Sequence, residues 1–160
     1  MARAYLLLGA NLGNREKNLC SAIAHLEKIS LNRIIKSSVY ETAPWGKQNQ
    51  PNFLNQALIV ETLSEPAKLL HELQTLEIVM GRKNKTNWEP RTIDIDILFY
   101  ENEIIETDEL IIPHRHICFR RFALAPLAEI APNLEHPIQK KSVSQLLIDC
   151  KDSLSVRLKE

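Results

Sequence analysis

The chain has 160 residues, 44% of them hydrophobic and 25% charged, which suits one domain of ordinary globular composition around a single core. Twenty basic residues balance twenty acidic ones; this excludes the strongly basic surface of a nucleic-acid or anionic-membrane binder and leaves any phosphate binding to local groups. Cys20, Cys118 and Cys150 are widely spaced, fit neither a zinc site nor a disulfide framework, and point to reduced thiols in a cytoplasmic protein.

Residues 3–8 read as a buried first strand, since this apolar run is too short for a signal sequence or a membrane span. Gly9 is expected to end it, and Gly9-Ala10-Asn11-Leu12-Gly13-Asn14 forms a turn cluster leading to a helix over residues 15–28 capped by Asn14. A glycine loop between strand and helix suits phosphate. This one, however, lacks the Gly-Lys-Ser/Thr half of a P-loop and has no G-x-G-x-x-G. Leu19, Ala22, Ile23, Leu26 and Ile29 recur at helical spacing and define the packing face, while His25 falls among polar residues and reads as a surface histidine.

Residues 33–40 predict a second strand, followed by a loop over 41–52 that contains Pro44, Trp45, Gly46 and Pro51. Loops of about a dozen residues are uncommon in compact domains unless they are functional. A third strand spans 53–61, with Phe53 and Asn55 on one face. Ser64-Glu65-Pro66 opens a helix that Gly81 ends; Leu69, Leu73, Leu76 and Met80 form its core stripe, and Gln74 and Glu77 share an adjacent face with Leu70.

From Ile93 the chain alternates apolar and acidic residues, so Ile93, Ile95, Ile97 and Phe99 are expected to point one way and Asp94 and Asp96 the other. Carboxylates two residues apart on a strand lie roughly 7 Å apart at their β-carbons, within reach of one shared cation or two cations about 4 Å apart. A half-exposed edge strand with a solvated acidic face has the same alternation. Arg91, fixed by Pro90, stands just before the strand, and Gly81-Arg82-Lys83-Asn84-Lys85 lies upstream. Cations beside an acidic pair suit a polyanion held with magnesium, such as a nucleoside triphosphate. Trp88 adds an indole to the same loop, as an anchor or a lid over a planar ring.

Beyond the fourth strand, residues 101–103 form a polar turn into Ile104-Ile105, a small hairpin. His114 follows Pro113 beside Arg115 and near Arg120 and Arg121, a cationic cluster suited to triphosphate oxygens, although a basic helix start has the same composition. Residues 123–132 predict a short helix interrupted by Pro126, and Ser142-Val143-Ser144-Gln145 is a capping box opening a last helix. The tail beyond Cys150 carries no assignable pattern.

Gly81-Arg82, the basic loop and Trp88-x-Pro90-Arg91-Thr92-Ile93-Asp94-Ile95-Asp96-Ile97 together resemble the signature of the 6-hydroxymethyl-7,8-dihydropterin pyrophosphokinase family. The likeness extends to Tyr40-x-Thr42-x-Pro44-x-Gly46, Gln50-Pro51-x-Phe53-x-Asn55, Pro113-His114 and Arg120 with Phe122, and runs from about residue 3 to about 150. It implies an enzyme of folate biosynthesis that moves diphosphate from ATP to a pterin alcohol and releases AMP, with two magnesium ions held by Asp94 and Asp96. Arg82 and Arg91 would join those aspartates in catalysis. Gln74, Glu77, Arg82, Trp88, Arg91, His114, Arg115 and Arg120 would bind ATP, and Thr42, Pro44, Trp45, Phe53, Asn55 and Phe122 the pterin. A flat heterocycle with a guanidine-like edge needs an aromatic face and an amide, which Phe53 and Asn55 supply. The chain departs from the family at Glu89, where a small residue is usual, Ala43 for proline, Arg115 for an aromatic and Glu109 for a basic residue. The two glutamates would weaken phosphate affinity and Arg115 would offset that.

Strand, helix, strand, strand, helix, strand is the order of a ferredoxin-like α+β sandwich, an antiparallel sheet with helices on one face. The resemblance adds further helices and mobile active-site loops to this core, in a single monomeric domain over 1–160. The fold also serves RNA-binding modules, but paired aromatics on the sheet face and a positive charge are wanting. A two-metal nuclease would bring a further acidic ligand and a water-activating base. The segment from 82 to 91, with few apolar anchors, is expected to close over the nucleotide as a lid that carries Trp88.

Overall fold

The computed structural model describes residues 1–82 and 90–160. At its centre lies β1 (Ala2–Ala10), buried from Ala4 through Ala10, as an unbroken apolar run covered on both faces requires. It pairs antiparallel with β4 (Phe53–Thr62) on one side and β5 (Asp94–Tyr100) on the other. Along its far edge β4 pairs with β2 (Ile35–Lys36) and β3 (Tyr40–Thr42), and β3 pairs with β8 (Val156–Leu158). The resulting order, β5-β1-β4-β3-β8, contains the expected ferredoxin-like core, with α1 (Arg15–Glu27) following β1 and α2 (Pro66–Val79) following β4. A separate hairpin joins β6 (Ile105–Glu106) to β7 (Ile111–Ile112).

Alternate residues of each strand face opposite layers. Ala4, Leu6 and Leu8 pack with Leu19, Ile23 and Leu26 of α1 and Leu69 and Leu73 of α2. Tyr5, Leu7, Ala57 and Ile59 pack with α3 (Arg121–Ile130) and α4 (Val143–Asp149) through Ala123, Leu124, Leu127, Val143 and Leu146. Helices on one face therefore describes only α1 and α2; α3 and α4 add a layer on the opposite side. α3 runs through Pro126 rather than breaking there.

The expected caps hold at two helices. Asn14 Oδ1 accepts from the Lys17 N–H at 3.0 Å, and Ser142 Oγ accepts from the Gln145 N–H at 3.1 Å. Ser64 instead donates its hydroxyl to Glu72, leaving Glu65 at the N-cap of α2 with Pro66 in the first turn. Ile29 lies past the end of α1 and is 40% exposed.

Two strands differ from their sequence pattern. In place of one strand over 33–40 there are the two short strands Ile35–Lys36 and Tyr40–Thr42, and between them Ser37 turns side chain and carbonyl to β4, its Oγ accepting from the Ala57 N–H at 3.0 Å and its carbonyl from Gln56 Nε2 at 2.7 Å. In β5 the register with β1 shifts between Tyr5 and Leu6, where Tyr5 pairs with Phe99 and Leu6 with Ile97. Leu98 is the extra residue of a bulge. Phe99 consequently leaves the Ile97 face and meets Tyr5 edge-on at 6.3 Å between ring centroids on the other side.

Candidate active site

The layer formed by α3 and α4 covers only part of the second sheet face. Where it stops, Leu7 and Gly9 of β1, Phe53 and Asn55 of β4 and Asp94 and Asp96 of β5 line a cleft of about 630 Å³. Thr42, Trp45 and Gln50 stand on one wall, and His114, Arg115, His116, Arg120 and Phe122 on another. The expected metal pair and the expected pterin pair thus share one face, separated by the width of β1.

Asp94 opens the edge strand and is met by two guanidinium groups. Arg82 Nη1 lies 3.1 Å from Asp94 Oδ1, and Arg91 Nη1 lies 2.8 Å from Asp94 Oδ2. The same Arg82 nitrogen contacts Glu77 Oε2 at 2.7 Å, while Glu77 Oε1 accepts from the outward Ile95 N–H at 2.7 Å. Glu77, 5% exposed, therefore satisfies an otherwise unpaired edge amide and orients Arg82. Neither Glu77 nor Gln74 is among the residues that line the cleft. Burial first, then Asp94, push the Glu77 carboxyl up to about 7 against the pull of the Ile95 amide and Arg82. Burial and Asp94 likewise lift Asp96 to about 7, with Arg120 acting the other way. Among the described residues no hydrogen-bond donor meets the Asp96 carboxylate, whose backbone pairs with Leu7.

The histidine wall is not the cationic cluster its composition suggests. The His116 backbone N–H donates to His114 Nδ1 at 3.1 Å, so the neutral ring carries its proton on Nε2. Burial, then Arg120 and His116, drive His114 down to about 4. It offers a neutral donor, and the positive charge comes from Arg115 and Arg120. Arg121 leaves the site, donating to the Asp152 and Cys150 carbonyls at 2.9 and 2.7 Å. Arg120 lies over Trp45, its guanidinium carbon 4.7 Å from the ring centroid, and 5.6 Å from the Phe122 ring. Its Nε is buried without a partner among the described residues. His116, which no sequence motif singled out, packs its ring 5.7 Å from Trp45.

On the β4 side, Asn55 is 3% exposed and donates from Nδ2 to Thr42 Oγ1 at 2.6 Å. Gly9 does not end β1 but continues it. A Cβ there would lie 2.8 Å from Asn55 Oδ1, so a side chain at this position would displace the amide. Pro44, two residues after Thr42, is buried in the loop behind this wall and is not among the residues that line the cleft. Trp88 and Glu89, and with them most of the expected lid, lie outside the described residues.

The sequence matches the family profile described as 7,8-dihydro-6-hydroxymethylpterin-pyrophosphokinase over residues 5–132. It is 43% identical over 146 residues to the 2-amino-4-hydroxy-6-hydroxymethyldihydropteridine pyrophosphokinase of Aquifex aeolicus, covering 91% of this chain and 90% of that protein. The Bacillus subtilis protein of the same description is 44% identical over 133 residues, covering 82% and 80%. A crystal structure of Plasmodium falciparum HPPK-DHPS with pteroate superposes with a TM-score of 0.73 at 18% identity, across 92% of this chain and 42% of that longer one.

Proposed function

The chain belongs to the 7,8-dihydro-6-hydroxymethylpterin-pyrophosphokinase family, and from that premise we propose how its cleft is divided between two substrates. Its activity is the transfer of diphosphate from ATP to the hydroxymethyl oxygen of 6-hydroxymethyl-7,8-dihydropterin, with release of AMP, in folate biosynthesis. The pterin takes the β4 side. Phe53, Phe122 and Trp45 supply its aromatic surroundings, and Asn55, held by Thr42, presents an amide to its donor–acceptor edge. Pro44 shapes the same wall. ATP takes the β5 side, where Arg82, Arg91, Arg115 and Arg120 meet its phosphates, His114 donates from a neutral Nε2–H, Trp88 completes the nucleotide site, and the Gln74–Glu77 face supports it from outside the cleft through the Glu77 contact with Arg82.

The observation that carries this division is the shared face: Asn55 and Asp94 both pair with Gly9, from opposite sides. Two strand spacings, about 10 Å, therefore separate the pterin amide from the acidic pair, a span that suits a hydroxymethyl arm reaching toward a triphosphate on the same face. In-line transfer forms a bond from that oxygen to the β-phosphorus as the bond from β-phosphorus to the α–β bridging oxygen breaks.

The donor set fits magnesium. Among the described residues no three His, Cys, Asp or Glu side chains converge on one point, but magnesium is ordinarily held by one or two carboxylates together with waters and substrate phosphates. Asp94 and Asp96 provide that pair, for two ions. Bound there, the metal supplies charge screening and polarisation of the phosphoryl group. Arg82 and Arg91, aligned by Glu77 and Asp94, are placed to stabilise charge on the transferring diphosphate.

The division is tested by binding measurements on two variants. Asn55→Ala is expected to weaken pterin binding and spare a nonhydrolysable ATP analogue with magnesium; Asp96→Ala is expected to do the reverse. Equal losses for both ligands in either variant contradict separate subsites.

A further inference from the structure

Asn11 sits in the turn after β1, 2% exposed, and connects three segments distant in sequence. Its backbone N–H and that of Leu12 both donate to the Arg91 carbonyl at 3.1 Å, and its Oδ1 accepts from the Arg91 N–H at 2.8 Å. The peptide groups on either side of Arg91 are thus clamped to one residue. From the same amide, Nδ2 donates to Gln50 Oε1 at 2.9 Å and to the Pro51 carbonyl at 3.1 Å. Gln50 in turn donates to the Lys47 carbonyl at 2.7 Å, and Arg15 Nη1 holds the Asn52 carbonyl at 3.0 Å. The loop that carries Trp45 is therefore tied down at its far end.

We propose that Asn11 is a positioning residue for diphosphate transfer, fixing Arg91 on the phosphate side to the Gln50–Pro51 turn on the pterin side so that the two substrates meet in line. The inference rests on the division of the cleft given above. Only a carboxamide of this length offers one acceptor and two donors together: aspartate cannot donate, leucine and alanine can do neither, and a buried amide partner left unpaired is costly. Packing alone would not demand that pattern. Because Asn11 contacts Arg91 through the main chain, its loss would leave the guanidinium chemistry intact and move its origin. A misplacement of about 1 Å costs roughly 100-fold in rate.

The test is a double-mutant cycle read by single-turnover kinetics, with thermal unfolding and equilibrium binding of a nonhydrolysable ATP analogue measured on each protein. Asn11→Ala is expected to slow transfer by about 100-fold while analogue affinity stays near wild type. In an Arg91→Lys background the same substitution is expected to cost far less, because Arg91 is then already misplaced. Asn11→Asp keeps the acceptor for the Arg91 N–H and the side-chain volume but loses both donations to the loop; it is expected to slow transfer and raise the KM for pterin, and it stands in if Asn11→Ala does not fold. Additive effects in the cycle, with Arg91→Lys itself slow, would overturn the positioning role, as would a wild-type rate in Asn11→Asp or losses that merely track stability. Arg91→Lys with a wild-type rate would overturn the assignment of Arg91 itself and leave nothing for Asn11 to position.

Discussion

The two ends of the sheet's second face are built from the same three strands and change character within two to five residues on each. Toward α3 the strands present Tyr5, Ala57 and Phe99, sealed beneath Leu124 and Leu127. Toward the cleft they present Gly9, Asn55, Asp94 and Asp96. The first end gains stability from apolar burial. The second gives up that gain and is held by directional bonds instead: two arginines on Asp94, Thr42 on Asn55 and Glu77 on the edge amide. One end can thus be damaged as a fold and the other as a site, and substitutions separate the two.

The largest effect is expected at Asp96. On the proposed division, Asp96→Ala removes one of the two carboxylates that would hold magnesium, a contribution of several kcal/mol of charge stabilisation and a loss in turnover of about 1000-fold or more. Its melting temperature should hold or rise, because a half-buried carboxylate beside Asp94 is gone. Near-normal steady-state turnover would sink the assignment. At the closed end Leu124→Ala is expected to cost about 2–5 kcal/mol, read by denaturant unfolding, with turnover per folded molecule near wild type. A comparable loss of turnover per folded molecule would mean that the two ends are not separable.

Gly9→Ala sharpens the boundary between them. Its Cβ would meet Asn55 Oδ1 at 2.8 Å, so pterin affinity is expected to fall by about tenfold, roughly the worth of one hydrogen bond, with ATP-analogue affinity unchanged in the same titration. The remaining effect is a slope rather than a step. Burial beside Asp94 lifts the folded-state Asp96 carboxyl from 3.8 to about 7, so the folded protein keeps a proton that the unfolded chain releases above about pH 4. Without magnesium, stability is therefore expected to decline as pH rises from about 4 to about 7. Asp96→Asn should flatten that decline in melting curves recorded with a chelator, and parallel curves for the two proteins would refute it.

The sequence carried what is periodic or local. Alternation from Ile93 to Ile97 placed Asp94 and Asp96 on one face, but the same alternation ran on to Phe99 without marking the bulge at Leu98, which only the pairing with Tyr5 reveals. Arg120 and Arg121 are indistinguishable as a dipeptide; tertiary contacts send one to Trp45 and the other to Asp152 and Cys150. Gly9 read as a stop because glycine usually punctuates, whereas here it makes room for an amide 46 positions later. Asn11 read as a turn residue, since partners at Gln50 and Arg91 leave no local trace. β8 escaped notice because three residues with Arg157 in the middle carry too little pattern, and its strand character comes from β3.

The position of β1 between β4 and β5 has a consequence for how the protein is made. Gly9 finds its partner Asp94 some 85 positions downstream, which at ribosomal speed is a wait of roughly 4 to 17 s. Through that interval Leu6, Leu7 and Leu8 have at least one ladder edge open, and both until β4 has been made, an apolar template for any neighbouring nascent chain. Pairings this remote along the chain also close slowly once every residue is present. Chaperone demand and losses to aggregation should accordingly respond to changes in β5 more than to changes in the earlier, locally formed α1.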